Sequence, residues 1–390
     1  MRALRVVGLH PDARHRSFGL LSTYPPTACG IATFTAALAG GLERSGAEDV
    51  GVVRINDDGG AAPDDRVVTE LRNGSASSRR AAVSKLNEFD VVIVQHEYGI
   101  YGGQDGAEVI EILQLLDVPS IVVAHTVLRS PTDNQRQVLE QIVAVATHVV
   151  VMTEGARVRL CADYAVDADK ITVIPHGAST DAGPTGSPSG RAPYLLTWGL
   201  LGPGKGIERV IDALASLDGL VPPVRYVIAG CTHPKVLAAE GEKYREMLVR
   251  RAWRNGTASH ITFDPSYRDL ASLTALVRGA AAVVLPYDSD EQATSGVLVD
   301  AVAAGRPVIA TAFPHAIELL ASGAGIVVDH ADAEGLAAAL GSVLTDPQRA
   351  SSMAAEAARL GPELSWDAVA GRYHDLADSE SSRVAAAVAG

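Results

Sequence analysis

The chain has 390 residues, 47% of them hydrophobic and 20% charged, and a formal net charge of −13 at pH 7. That length suffices for two separate cores, the composition excludes a fibrous or grossly disordered chain, and the negative balance argues against a surface committed to nucleic acid. Cys29, Cys161 and Cys231 are too widely spaced for a disulfide framework or a zinc motif, so a cytoplasmic setting is expected, and no apolar run approaches the ~20 residues of a membrane span.

Residues 1–17 read as a loose leader without a secretory pattern. Phe18 to Ser22 is a strand, and Thr23 to Gly30, rich in proline and small residues, turns into a helix from Ile31 to Leu38. A strand, a glycine turn and a helix N-terminus make a place where an anion can bind, with Gly30 at its centre. Val50 to Ile55 is the next strand; a loop over 56–66 and a helix near Ser78 to Glu88 lead to the strand Val91 to Val94. Ile121 to Ala124 is a strand, Asp133 to Ala146 a helix, His148 to Met152 a strand, Thr153 a helix cap and Ile171 to Ile174 a strand. This alternation predicts a parallel sheet covered by helices on both faces. Function in such sheets collects at the carboxyl ends of the strands. His96 and Glu97 follow one such end and His125 another.

Residues 178–193 are dominated by Gly, Ser, Pro and Thr and form the expected linker between two domains of nearly equal size. The pattern then restarts. Tyr194 to Trp198 is a strand, and Gly199-Leu200-Leu201-Gly202-Pro203-Gly204-Lys205-Gly206 is a glycine-rich turn that opens the helix Ile207 to Leu217. Its glycines let backbone N–H groups approach a phosphate, with Lys205 as a compact cation beside them. The order of residues is neither that of a Walker loop nor that of a dinucleotide fold. Val224 to Ala229 is a strand, Val236 to Arg254 one long helix with a charged face, and Ile261 to Phe263 a strand followed by Tyr267.

Residues 285–311, LPYDSDEQATSGVLVDAVAAGRPVIAT, are the centre of the chain: a buried strand, a polar loop, a helix from about Ser295 to Ala304 and a second buried strand from Pro307. Thr294, Ser295, Gly296 and Val297 put small residues and free N–H groups at a helix start, where the dipole favours an anion. Asp300 sits one turn inside, within reach of hydroxyls on whatever the anion carries. A strand from Gly323 to Val328, helices from Asp332 and Gln348, a closing helix over 362–378 begun by Ser365 and Trp366, and a frayed tail over 379–390 complete the chain.

This stretch resembles the donor-site signature of the family-4 retaining glycosyltransferases (glycosyl transferases group 1), which have the GT-B fold. Asp300-Ala301-Val302-Ala303-Ala304-Gly305-Arg306-Pro307-Val308-Ile309 aligns with that family's second carboxylate and following segment, and Gln292 then stands where the family has its first glutamate. The glycine-rich turn resembles the family's diphosphate clamp, with Lys205 kept and Leu200 in place of an arginine. Ile174-Pro175-His176-Gly177 resembles the segment that closes the N-terminal domain.

The resemblance implies an α/β protein with two Rossmann-like domains, 18–177 for the acceptor and 194–361 for the nucleotide-sugar donor, and a C-terminal helix crossing back to the first domain. It implies transfer of a hexose such as mannose or glucose from a GDP- or UDP-linked donor to a carbohydrate, lipid or small-molecule hydroxyl. No metal and no other cofactor is expected. Lys205 and the amides at 295–297 would meet the leaving diphosphate, with Gly30, Gly199, Gly204 and Thr294 around it. Asp300 would bind ribose, Tyr267 the base, Gln292 and His125 the sugar, and His96 with Glu97 the acceptor. A peripheral membrane contact through an amphipathic face stays open, and nothing in the sequence requires one. Two other classes share the plan: a GT-B epimerase acting on UDP-sugars, using His125 and Glu97, and a catalytically silent nucleotide-sugar-binding relative, suggested by Leu200 and Gln292.

Overall fold

The computed structural model describes residues 16–27, 29–56, 63–180, 193–217, 224–266, 268 and 270–389. In the first half, β1 (Ser17–Ser22), α1 (Gly30–Arg44), β2 (Asp49–Ile55), β3 (Val67–Leu71), α2 (Ala76–Leu86), β4 (Val91–His96), α3 (Glu108–Gln114), β5 (Ser120–Ala124), α4 (Asp133–Val145), β6 (His148–Val151), α5 (Glu154–Asp163) and β7 (Ile171–Val173) follow one another. Their strands form a seven-stranded sheet in the order β3-β2-β1-β4-β5-β6-β7. β1 pairs in parallel with β2 and β4. β4 and β5 are buried along their whole length, as expected of central parallel strands covered on both faces.

The second half contains β8 (Tyr194–Trp198), α6 (Ile207–Ser216), β9 (Arg225–Ala229), α7 (Pro234–Glu240), α8 (Lys243–Arg254), β10 (Ile261–Asp264), α9 (Leu270–Gly279), β11 (Ala282–Leu285), α10 (Gly296–Ala303), β12 (Val308–Thr311), α11 (Pro314–Leu320), β13 (Gly325–Val328), α12 (Ala333–Thr345), α13 (Pro347–Leu360) and α14 (Trp366–Ala389). Its six strands run in the order β10-β9-β8-β11-β12-β13, and every adjacent pair is parallel. The side-chain period of two divides each strand between two cores. Leu196, Val283 and Val308 pack with α10 and α11 on one face. Leu195, Val284 and Ile309 pack with α6, α8 and α12 on the other.

Packing divides the chain into two compact units. The first comprises the described residues within 1–123, 137–148 and 374–390, and the second those within 124–136 and 149–373. α14 thus starts in the second unit and, from His374, packs within the first, where the His374 ring stands edge-on to Phe18 with centroids 4.9 Å apart. Among the described residues no helix is long and apolar enough to cross a membrane.

Several elements differ from the sequence expectations. The helix expected over 236–254 is two helices, because Gly241 adopts φ +67° between them, a conformation that ends a helix at little cost only for glycine. α14 continues to Ala389, so the stretch expected to fray from Ser379 is helical. Ala178, placed in the linker, is fully buried: its N–H donates to Leu364 O at 2.7 Å, and its carbonyl accepts the Trp366 N–H at 3.1 Å. The linker's residues 181–192 lie outside the described residues. Strand β3 and helices α3, α9 and α11 were not anticipated; two of these helices are only seven residues long. The expected caps at Thr153, Asp332 and Ser365 form, each accepting a backbone N–H three residues on.

Candidate active site

The glycine-rich turn after β8 is pinned between the loops that end β9 and β11. On one side Gly199 N–H donates to Ala229 O, Leu201 N–H to Cys231 O and His233 N–H to Leu201 O. Gly230, at φ +137°, approaches so closely that a Cβ there would stand 2.0 Å from Gly199 O. On the other side Asp288 N–H donates to Gly204 O at 2.9 Å. Gly206 has φ +62°, and a Cβ on it would lie 1.8 Å from Pro286 O. Backbone packs directly on backbone at both edges, so the turn has one shape.

Lys205 leaves this turn with its Nζ 4.4 Å from the centroid of the Tyr287 ring. That ring stacks on Phe313, centroids 5.2 Å apart, and Thr311 Oγ1 donates to Tyr287 O at 2.6 Å. The ammonium is thus held over an aromatic face and has no carboxylate partner among the described residues. Leu200, in the position of the family's arginine, is half-buried.

The loop before α10 is held just as firmly. Ser295 caps the helix, its Oγ accepting Leu298 N–H at 3.3 Å. The Gln292 amide turns inward and donates to Thr294 O at 3.2 Å, leaving its Oε1 as the polar group to offer a ligand. Gly296 lies against the His176 ring, where a Cβ would come within 2.8 Å of Nε2. His176 Nδ1 in turn donates to Gly177 O at 2.6 Å, and Gly177 itself has no room for a Cβ beneath the Trp366 indole. Val297 reaches back to the glycine-rich turn, with its Cγ2 3.8 Å from the point where a Gly199 Cβ would sit. Lys205's turn and the α10 N-terminus are therefore neighbours.

One expected donor is already engaged. The N–H of Ser295 donates to Nδ1 of His315 at 2.9 Å, so the cradle's open amides among the described residues are those of Gly296 and Val297. Asp300 lies farther along α10, half-buried, in a small cavity with Trp198, Leu273, Thr274 and Val277. Desolvation by these neighbours pushes its carboxyl up to about 7.

Residues 185–360 match the glycosyl transferases group 1, and residues 28–182 match Glycosyltransferase Family 4. The chain belongs to the family-4 glycosyltransferases of the GT-B fold. This family-4 chain is 29% identical over 280 residues to a D-inositol 3-phosphate glycosyltransferase of Segniliparus rotundus, covering 65% of this chain and 60% of that protein. It is 31% identical over 176 residues to a GDP-mannose-dependent alpha-(1-6)-phosphatidylinositol monomannoside mannosyltransferase of Mycolicibacterium smegmatis, 42% of each chain. The matches thus span less than two thirds of these relatives' own lengths. The fold is similar to that of HepE of Anabaena in complex with UDP, with a TM-score of 0.72 at 16% identity over 93% of this chain and all of that one. It is equally similar to a sucrose-phosphate synthase of Thermosynechococcus elongatus, TM-score 0.72 at 18% identity over 94% of this chain and all of that one.

The remaining family-4 expectations fall as follows. His125 is half-buried just past β5. His96 is the last residue of β4 and is wholly buried, with its ring edge-on to Tyr98 at 5.2 Å between centroids and, among the described residues, no hydrogen-bond partner for either nitrogen. It therefore offers no exposed atom to an acceptor in this conformation, and burial lowers its pKa to about 4. Glu97 is half-buried and accepts Tyr98 N–H at 3.1 Å. Gly30 opens α1, whose cap is Cys29: its Sγ accepts Ala32 N–H at 3.3 Å, and among the described residues nothing beyond the local backbone lies within 4 Å of the point where a Gly30 Cβ would stand. Tyr267 lies outside the described residues. Sequence reasoning missed Tyr287, and it missed both imidazoles beside the α10 N-terminus. The signal was a repeated pair, Pro175-His176 and Pro314-His315, each just after a strand.

Proposed function

We propose that this protein transfers a hexose from a nucleoside diphosphate donor to an acceptor hydroxyl, with retention of configuration. The observation that carries this reading is that the turn bearing Lys205 adjoins, at Gly199 and Val297, a helix start whose Gly296 and Val297 amides are open among the described residues. As the bond from the sugar's anomeric carbon to the β-phosphate oxygen breaks, negative charge grows on the diphosphate. Fixed donors aimed at that charge lower the barrier without having to reorganise. The acceptor oxygen forms its new bond on the same face of the sugar, and its proton passes to the departing phosphate oxygen.

In this reading Asp300 accepts hydrogen bonds from the ribose hydroxyls, and Gln292 Oε1 faces the transferred sugar. An amide oxygen there accepts a hydrogen bond without the negative charge of an ionised glutamate, so Gln292 acts on sugar preference. His125 faces the sugar from the end of β5. With Leu200 in place of a second cation, the helix N-terminus carries a larger share of the diphosphate charge.

The test is binding followed by turnover. UDP, GDP, UDP-glucose and GDP-mannose are screened for thermal stabilisation, and the binder is then offered with inositol phosphates first, since relatives carry inositol in their names. A ligand at 100 times its dissociation constant adds about 2.7 kcal/mol. Binding of one nucleotide class and acceptor-dependent release of the nucleoside diphosphate support the reading. No response to any of the four overturns it.

A further inference from the structure

Two groups hold the loop before α10 from the side of α11. The backbone N–H of His315 donates to Gln292 O at 3.4 Å, and its ring Nδ1 accepts the N–H of Ser295 at 2.9 Å. One residue therefore grips both ends of the segment 292–295. Pro314 occupies the first turn of α11, where its missing N–H costs nothing and its fixed φ suits a helix. The ring that follows is buried, only 4% exposed, as is Ser295.

The start of α10 also meets His176, against which Gly296 has no room for a side chain. The two imidazoles have opposite tautomers. His176 keeps its proton on Nδ1 to donate to Gly177 O, while His315 has a lone pair on Nδ1 and its proton on Nε2. Burial lowers the pKa of His176 to about 4 and that of His315 to about 3, so at neutral pH both rings are uncharged and His315 remains an acceptor. α11 also reaches α5: both carboxylate oxygens of Glu318 accept amides at that helix's start, from Glu154 at 2.8 Å and Gly155 at 2.9 Å. Its anchoring lies outside the donor loop.

We infer that His315 is a positioning residue for the diphosphate: by taking the Ser295 N–H, it turns the start of α10 so that the amides of Gly296 and Val297 face the ligand. The inference rests on the donor-site reading above. It differs from the cap made by Ser295 Oγ, which satisfies Leu298 N–H whether or not the loop is turned correctly. Without an acceptor at Nδ1 the buried Ser295 amide must find another partner, and any rotation that supplies one moves its two neighbours.

The experiment compares wild type with His315→Phe, which keeps an aromatic ring and removes the acceptor, and His315→Asn, whose Oδ1 stands near the position of Nδ1. Dissociation constants for UDP and GDP are measured by calorimetry, with kcat, donor KM, acceptor KM and melting temperature. The expected result is a loss of about tenfold in nucleotide affinity for the Phe variant, a matching rise in donor KM, unchanged acceptor KM, and recovery to within about threefold in the Asn variant.

A folded Phe variant that binds the nucleotide like wild type overturns the inference, and so does an Asn variant as weak as the Phe variant at equal melting temperature. Should the Phe variant not fold, Asn is compared with His315→Gln, whose longer side chain places its oxygen away from Nδ1. Tighter binding by Asn supports the inference, and equal binding overturns it. Wild type that binds neither nucleotide overturns the donor-site reading and the inference together; failure confined to the variants overturns the inference alone.

Discussion

Lys205 Nζ stands over the ring of Tyr287 at 4.4 Å from its centroid, with no carboxylate to neutralise it among the described residues. An uncompensated cation on a rigid turn serves a ligand better than it serves the fold. Lys205→Ala is expected to weaken binding of the nucleoside diphosphate by about 10- to 100-fold, the range of a lost hydrogen bond to a charged group. Without ligand its melting temperature should barely move, since the lost ring contact is worth only about 0.5–1 kcal/mol. Calorimetric titration beside a ligand-free melt separates the two effects.

Gly206 is a different case, because here the backbone itself has no space. A Cβ would lie 1.8 Å from Pro286 O, on a residue whose φ is +62°. Gly206→Ala is expected to destabilise the protein by roughly 2–4 kcal/mol, combining the left-handed penalty with displacement of the loop after β11. Gly204→Ala is the control: φ is also positive there, at +88°, but among the described residues nothing beyond its own chain neighbours lies within 4 Å of its Cβ position, so only the conformational part of the loss remains. Chemical denaturation of the two variants reads the difference.

In the proposed donor site, Asp300 links pH to both stability and binding, with opposite signs. Its folded pKa of about 7 lies above the ordinary value of 3.8, because desolvation disfavours the charged form. The folded state therefore holds a proton that the unfolded chain releases, and stability falls as pH rises from about 4 to 7. Asp300→Asn is expected to melt higher than wild type at pH 8 and to lose that advantage near pH 4. Ribose hydroxyls, by contrast, favour the ionised carboxylate. Nucleotide affinity should rise about tenfold between pH 6 and 8 in wild type and lose that component in the Asn variant, which calorimetry at the two pH values checks.

Three imidazoles, two buried and that of His176 half-buried, act in the other direction. His96, His176 and His315 have folded pKa values of about 4, 4 and 3, against an ordinary 6.5, with desolvation as the leading cause in each. They stay neutral in the folded state while the unfolded chain takes up protons, so stability is full above pH 6.5 and is lost as pH falls towards 4. His96→Phe removes two unpartnered nitrogens along with one of these groups. It should match or exceed wild type at pH 7.5, and its advantage should widen at pH 5, as read by melting temperature.

Much of the architecture could be read from local pattern. Runs such as Val91 to Val94 and Ile121 to Ala124 are buried strands because a central parallel strand has apolar neighbours on both faces, and the helix starts at Thr153, Asp332 and Ser365 followed from short polar side chains three residues before an open amide. The break at Gly241 was missed because a lone glycine within a helical pattern lowers confidence without marking a stop. α11 was missed because seven residues beginning with Pro314 are too few to show a helical period.

The candidate site divides in the same way. Glycine spacing, Lys205 and the Ser295 cap are signals carried within a few residues of chain, and they were legible before any fold was known. The engagement of Ser295 N–H by a histidine 20 residues on, the closure of Gly296 against His176, and the complete burial of His96 were not. These partners are distant in sequence: His315 follows β12, which pairs with β11 across a crossover helix, and His176 follows β7, a strand of the other sheet. Local sequence records which polar groups a loop carries; which of them remain free for a ligand is settled by partners brought in from elsewhere in the chain.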